Sequence, residues 1–337
     1  MKARLCTFGL FLLGLTSTAI CIAAAQSAPD TAPLVLPMEN VGGHLYVELE
    51  DRTLGKLRMM VDTGAEKTLL SARAAEKAKV DRHFTDRFFS FNGFGQGEKA
   101  KLAGHTTLEL RSGERSLAKV EALVLDSGNL DGKKQPALDG ILGWDFFQHL
   151  CVRLNSKEKR MTLGTADHCA TNEEGFYTPP VEWLPEGLLL PVTITLANQH
   201  TIKLKLHVDT GSDSIVLSPR LRGVLELEKK PQAESQHQGK GVNGSYAWDE
   251  AYAAEIEADG GHPAIKGQIP LLLPRSGYSH PTRLFSGKDE ALMFHDGVVG
   301  NSMLSGFELI FDPVQKRLYE RANSYVLKGK EQVDGHN

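Results

Sequence analysis

The chain has 337 residues, 41% of them apolar and 24% charged, with a formal net charge of −4. That is the composition of a globular protein long enough for two domain-sized cores. A balance this close to neutral, with no Lys/Arg-rich arm interleaved with aromatics, argues against nucleic acid as a partner.

In chain order, Met1, Lys2 and Arg4 precede an apolar run that ends in Ala23, Ala24 and Ala25. This reads as a basic n-region, an h-region and a small-residue cleavage site. Residues 1–25 are therefore expected to be a secretory signal, with export to a periplasm or the outside medium and no membrane association after cleavage. The run is also long enough to be an uncleaved anchor. Lipidation at Cys21 is disfavoured by the bulky Ile20 before it. Residues 26–40, rich in Pro and small residues, read as a linker.

From Leu45 apolar and polar residues alternate on both sides of a turn signal at Asp51 to Gly55, which predicts a β-hairpin whose second strand runs into Asp62. Ser71 and the residues after it predict a short capped helix. The Val-Asp-Thr-Gly of Val61 to Gly64 then recurs as Val208 to Gly211, and Leu45 to Ser71 lies over Val192 to Ser218 without a gap. A second pair, from Asp139 over Asp296, is offset by about ten residues more, a loop-sized insertion. Each unit thus runs hairpin, acid turn, middle strands, apolar-apolar-Gly, short helix and closing hairpin. The reading is a mainly β fold built twice, with units at 41–170 and 188–325, a Pro-containing join at 171–187 and a polar tail at 326–337.

One Asp-Thr-Gly is weak, because all three are ordinary turn residues. Two, each ending an apolar strand and each followed by another apolar stretch, are not. A buried lone carboxylate is costly, so two in equivalent places ask for a shared purpose.

Carried by Asp62-Thr63-Gly64-Ala65, Asp209-Thr210-Gly211-Ser212 and the segments Ile141-Leu142-Gly143 and Val298-Val299-Gly300, the chain resembles the aspartic peptidases, the retropepsin-like and pepsin-like group. The resemblance implies two homologous β-barrel lobes about a pseudo-twofold axis, and Asp62 and Asp209 as the catalytic pair around one water. Thr63, Thr210, Gly64 and Gly211 would support the loops, and the apolar-apolar-Gly segments would brace them. Ser212 would be able to donate a hydrogen bond to Asp209 where Ala65 offers none to Asp62, making the acids unequal. Flap hairpins would lie at Ser90 to Ala100 and Gly239 to Trp248, with Phe94, Gly95, Gly244 and Tyr246 as candidate substrate contacts. No cofactor or metal is implied. The partner is a peptide or protein substrate, and because one chain supplies both acids, a dimer is not required.

Alternatives from other classes are a non-catalytic peptide-binding or scaffolding module that kept the cleft, and a glycosidase with paired carboxylates, whose loops the Asp-Thr-Gly turns do not resemble. Cys151 and Cys169 remain as an even pair if the signal is cut, and export makes them disulfide candidates. With His149 and His168 they fit zinc spacing poorly. Gly239 to Gly244 matches G-x-G-x-x-G without a βαβ setting. His207, two residues before Asp209, aligns with Met60 in the repeat, which favours packing over a relay.

Overall fold

The computed structural model describes residues 32–77, 101–126, 138–169, 173–225, 237–241, 244–260, 264–275 and 296–323. The signal reading, the first flap segment with Phe94 and Gly95, and the polar tail lie outside them.

The fold is mainly β. In the first half, β1 (Leu34–Val41), β2 (His44–Asp51) and β3 (Gly55–Val61) lead to the first acid turn. After it come β4 (Leu69–Ser71), α1 (Ala72–Lys77), the long pair β5 (Lys101–Ser112) and β6 (Arg115–Asp126), β7 (Gly140–Leu142), α2 (Trp144–Phe147) and the closing hairpin β8 (Cys151–Asn155) and β9 (Arg160–Gly164). The second half repeats this with β10 (Glu182–Leu184), β11 (Gly187–Leu196), β12 (Thr201–Val208), β13 (Ile215–Leu217), β14 (His237–Gly241), β15 (Gly244–Ala258), β16 (Ile265–Pro274), β17 (Gly297–Val299), α3 (Asn301–Leu304), β18 (Phe307–Asp312) and β19 (Arg317–Ala322).

The duplication holds at the level of strand order. The first half runs β1-β2-β3-β7-β4-β6-β5 and the second β10-β11-β12-β17-β13-β16-β15, with β14 added at its edge. Extra pairings, β2 with β5 and β11 with β15, curl each sheet back on itself. The hairpin turn between β2 and β3 forms because the buried Asp51 accepts the amides of Thr53 (2.8 Å) and Leu54 (3.0 Å), while Gly55 takes a φ of 70°. At α1, Ser71 caps through its hydroxyl, which accepts the Ala74 amide at 3.1 Å. Its counterpart Ser218 makes no such cap, and only a 3-10 turn at Pro219–Leu221 follows it.

Three sequence expectations change. Residues 34–40 are strand, not linker: Leu36 and Met38 turn into the core, and β1 joins β2 to β9. Within the join, β10 is also a strand, and its Trp183 packs against Trp144 with ring centroids 4.8 Å apart. The closing hairpin of the second half does not complete its own sheet. Instead β18 pairs antiparallel with β8, giving the order β19-β18-β8-β9-β1 across the two halves. An open β8 edge would leave a row of backbone groups unpaired, and β18 supplies their partners.

Candidate active site

Each acid is placed by three strands. β3 runs parallel to β7 with Val61 opposite Leu142, and β12 runs parallel to β17 with Val208 opposite Val299. β4 and β13 then pair antiparallel with the far sides of β7 and β17. The amide of Asp62 therefore donates to the Leu142 carbonyl (3.1 Å) and that of Asp209 to the Val299 carbonyl (3.0 Å). Ile141, Leu142, Val298 and Val299 are all buried. Gly143 and Gly300 are glycine because a Cβ would strike the Lys67 carbonyl carbon at 2.3 Å and the Ser214 carbonyl oxygen at 2.4 Å. The following short helices are tied to the acid turns in the same way, Trp144 N–H to the Ala65 carbonyl (2.6 Å) and Asn301 N–H to the Ser212 carbonyl (2.8 Å).

The two turns meet head to head. The Thr63 hydroxyl donates to the Val208 carbonyl (2.8 Å) and accepts the Thr210 amide (3.1 Å), while the Thr210 hydroxyl donates to the Val61 carbonyl (2.9 Å) and accepts the Thr63 amide (3.1 Å). Both threonines are fully enclosed. This reciprocal set is what a local twofold relation between the turns generates. It presses each glycine against the opposite acid: a Cβ on Gly64 would lie 2.4 Å from the Asp209 carboxyl carbon, and one on Gly211 2.2 Å from that of Asp62.

Within its own turn, Asp62 Oδ1 accepts the amides of Gly64 (2.9 Å) and Ala65 (3.0 Å), and Asp209 Oδ1 accepts those of Gly211 (2.9 Å) and Ser212 (3.1 Å). Each carboxyl is pressed against the opposite turn's glycine, and the two are close enough for each to act on the other's ionisation. Asp209 is 7% exposed, and Asp62 is half-buried. Burial pushes the Asp62 carboxyl above its ordinary range, its bonds to Asp209 and to the turn amides acting against this. Burial and then the neighbouring Asp62 charge push Asp209 well above. Two enclosed carboxyls that cannot both ionise cheaply share one proton, so one acid and one base stand side by side.

The structure departs from the expected source of inequality. Backbone amides serve Asp62 and Asp209 alike, and the Ser212 hydroxyl donates to the Ser214 carbonyl (3.0 Å), not to Asp209. The short Ser212-to-Ser214 turn brings that carbonyl closer to the hydroxyl's reach. His207 is buried with its ring against Gly187, in a packed position. Of the second flap segment, β14 and β15 form a hairpin with Gly241 opposite Gly244. Tyr246 lies on its β15 arm, opposite Gly239.

Sequence reasoning passed over several supports. Asp139 accepts the Arg58 amide (3.0 Å) and the Arg73 guanidinium (2.9 Å), and Asp296 repeats this with the Lys205 amide (2.8 Å) and Arg220 (2.5 Å). Both aspartates open the second repeated segment, so the alignment itself carried the signal. In the first half alone, Asp145 accepts from the amide (2.9 Å) and hydroxyl (2.7 Å) of Thr68, whose hydroxyl oxygen takes the Gly143 amide. Cys151 and Cys169 are joined by a disulfide with Cα atoms 5.4 Å apart. Among the described residues no cluster of three His, Cys, Asp or Glu is arranged to hold a metal.

Residues 51–149 match the family described as gag-polyprotein putative aspartyl protease. The chain is similar to the retropepsin-like aspartic peptidases. The matched stretch contains Asp62, its turn and the Ile141-Leu142-Gly143 brace. No curated protein matches the sequence. Among solved structures, basic 7S globulin from soybean aligns with 91% of this chain and 99% of its own at 13% identity and a TM-score of 0.47. The aspartic proteinase from Irpex lacteus aligns with 88% and 99% at 13% identity and 0.49. Conglutin gamma from lupine seeds aligns with 87% and 95% at 12% identity and 0.47.

Proposed function

We propose that the protein is an aspartic endopeptidase in which Asp62 and Asp209 of one chain form the catalytic pair. The observation that carries this reading is the pair of carboxyls, each against the opposite turn's glycine, held between reciprocal threonines. An ordinary structural role does not call for two carboxyls raised by burial and by each other, since a fold that only needed turns would place polar, uncharged residues here.

The chemistry follows from the shared proton. The ionised carboxylate takes a proton from a water seated between the acids as that water's oxygen bonds to the peptide carbonyl carbon. The protonated partner gives its proton to the carbonyl oxygen, so the tetrahedral species forms without net charge. The C–N bond then breaks as the amide nitrogen takes up a proton from the carboxyl that gained one, while the other, now ionised, carboxylate takes back a proton from a hydroxyl of the diol, which restores the shared proton. No covalent enzyme intermediate forms. Dimerisation is not needed, because both acids come from one chain. We also place the reaction outside the cytosol, in a periplasm or the external medium, a reading supported by the Cys151–Cys169 disulfide and the signal-like residues 1–25.

The test is incubation of the chain from residue 26 onward with a diverse peptide mixture between pH 3 and 8, read by mass spectrometry. Asp62→Asn and Asp209→Asn are each expected to lower cleavage by at least about 100-fold while remaining folded. A folded parent protein that cuts nothing but retains peptides would make it a peptide-binding module instead.

A further inference from the structure

The residue after each apolar-apolar-Gly brace is Trp144 in the first half and Asn301 in the second. Their backbone amides serve the acid turns alike, bonding to the Ala65 and Ser212 carbonyls, and both side chains cross to the other half. The Trp144 indole donates to the Leu184 carbonyl (3.0 Å), at the turn between β10 and β11. Asn301 donates through Nδ2 to the Gly43 carbonyl (2.8 Å), in the turn between β1 and β2. An indole has one N–H, which Trp144 uses there, whereas a carboxamide nitrogen has two. The second N–H of Asn301 goes back to its own acid turn, to the Thr210 carbonyl (2.7 Å).

That carbonyl belongs to the peptide joining Thr210 to Gly211, and the N–H of the same peptide donates to Asp209 Oδ1 (2.9 Å). A peptide is planar, so the direction of its C=O fixes the direction of its N–H. A donor on the carbonyl also polarises the unit and strengthens the bond its N–H gives. Asn301 is 4% exposed, and the amide after it, that of Ser302, donates to the Asp213 carbonyl (2.9 Å), so the side chain starts from a fixed base. At its far end Gly43 takes a φ of 87°, and a Cβ there would lie 2.9 Å from the Asp213 Cβ. The first half's turn can come this close only as glycine. Asn301 Oδ1 is enclosed without a hydrogen-bond partner among the described residues, so the two N–H bonds orient the carboxamide.

We propose that Asn301 is a positioning residue for Asp209: through the Thr210 carbonyl it fixes the peptide plane whose Gly211 N–H holds the Asp209 carboxyl, and through the Gly43 carbonyl it locks that plane to the first half. This rests on the peptidase reading and adds to it a residue outside both acid turns. In the first half the corresponding indole is turned to Leu184 instead, so the inequality between the acids lies behind the turns and not within them. The titratable groups of the turns that meet here are Asp209 and Asp213, His44 after Gly43, and Asp62 and Glu66 in the opposite acid turn; α3 itself carries none. Asn301 acts through the peptide and takes no part in bond making.

The experiment compares the parent chain with Asn301→Leu, which keeps the bulk and removes both donors, and with Asn301→Ala should leucine crowd the turn. Three readouts are taken: the amide resonances of Gly211 and Gly64, the titration of ¹³C-labelled aspartate carboxyls assigned with Asp62→Asn and Asp209→Asn, and kcat with KM. The folded variants are expected to shift the Gly211 amide and to leave that of Gly64 near its parent position. A weaker N–H bond favours the ionised carboxyl less, so the Asp209 titration is expected to rise by roughly half a pH unit. Cleavage is expected to lose about tenfold in kcat with KM within about twofold. Folded variants whose Gly211 amide, Asp209 titration and kcat all match the parent, whatever their stability, would overturn the role of Asn301. A folded parent that cleaves nothing would instead remove the peptidase reading, and the amide and carboxyl measurements would still decide whether Asn301 holds Asp209.

Discussion

Thr63 and Thr210 are the residues on which the site's geometry most depends, because each hydroxyl makes two buried bonds across the turns. Thr63→Val keeps the shape but strands a carbonyl and an amide. It is expected to lower stability by roughly 2 kcal/mol or more and to reduce cleavage, with Thr63→Ser recovering most of both. Urea unfolding alongside peptide assays checks this, and equal losses for serine and valine would deny the hydroxyl its role. At the same scale, the sequence named both threonines through the repeat. Ser212 it named for the wrong bond, since a hydroxyl's direction is set by the local turn and not by residue type.

Among the elements, the closing hairpins hold the two halves together through an ionic cluster. Glu308 on β18, 2% exposed, receives Arg153 from β8 (2.5 Å) and Arg321 from β19 (2.5 Å), and both guanidiniums also reach Glu173 (2.8 and 2.9 Å). Phe176 lies beneath both, its ring centroid 5.4 Å from Arg153 and 4.4 Å from Arg321. Burial works to raise the Glu308 carboxyl, but the bonds and charges of the two arginines outweigh it and hold the group below its ordinary value. A depressed carboxyl stabilises the fold above its unfolded pKa, and that contribution is lost as pH falls through the folded value. Glu308→Gln is therefore expected to cost roughly 3 kcal/mol at pH 7 and progressively less below about pH 4. Urea titrations at pH 7 and pH 3 measure the difference, and an equal cost at both would contradict it. None of this cluster was visible from the sequence: its ion-paired partners lie 13 to 155 residues apart, and no local pattern joins them.

For the whole molecule, the disulfide ties the start of β8 to the segment leading out of the first half across a separation of 18 residues. Closing a loop of that size restricts the unfolded chain, so Cys151→Ala with Cys169→Ala is expected to cost about 3 kcal/mol. Because the bond packs in a cluster of its own with Ile310, Tyr319 and Phe176, which includes no residue of either acid turn, peptide cleavage per folded molecule should not change. Thermal melting with and without reductant, together with specific activity, checks both halves of that statement. The four strands contributed by β8, β9, β18 and β19 make the halves one body at the base of the site. The acids accordingly meet in a fixed register, instead of depending on two subunits finding each other.

The sequence by itself determined the mainly β class, the duplication, both acid turns and their apolar braces, because each is a local pattern of period-two burial and turn chemistry written twice. It also marked Asp139 and Asp296 through their alignment, without saying what they hold. Only the tertiary structure decided that residues 34–40 are a strand, that the second closing hairpin pairs with β8, and that the two threonines exchange bonds across the acid turns. Those outcomes depend on which free strand edge accepts a partner and on cross-strand register between distant segments, and a linear pattern specifies neither.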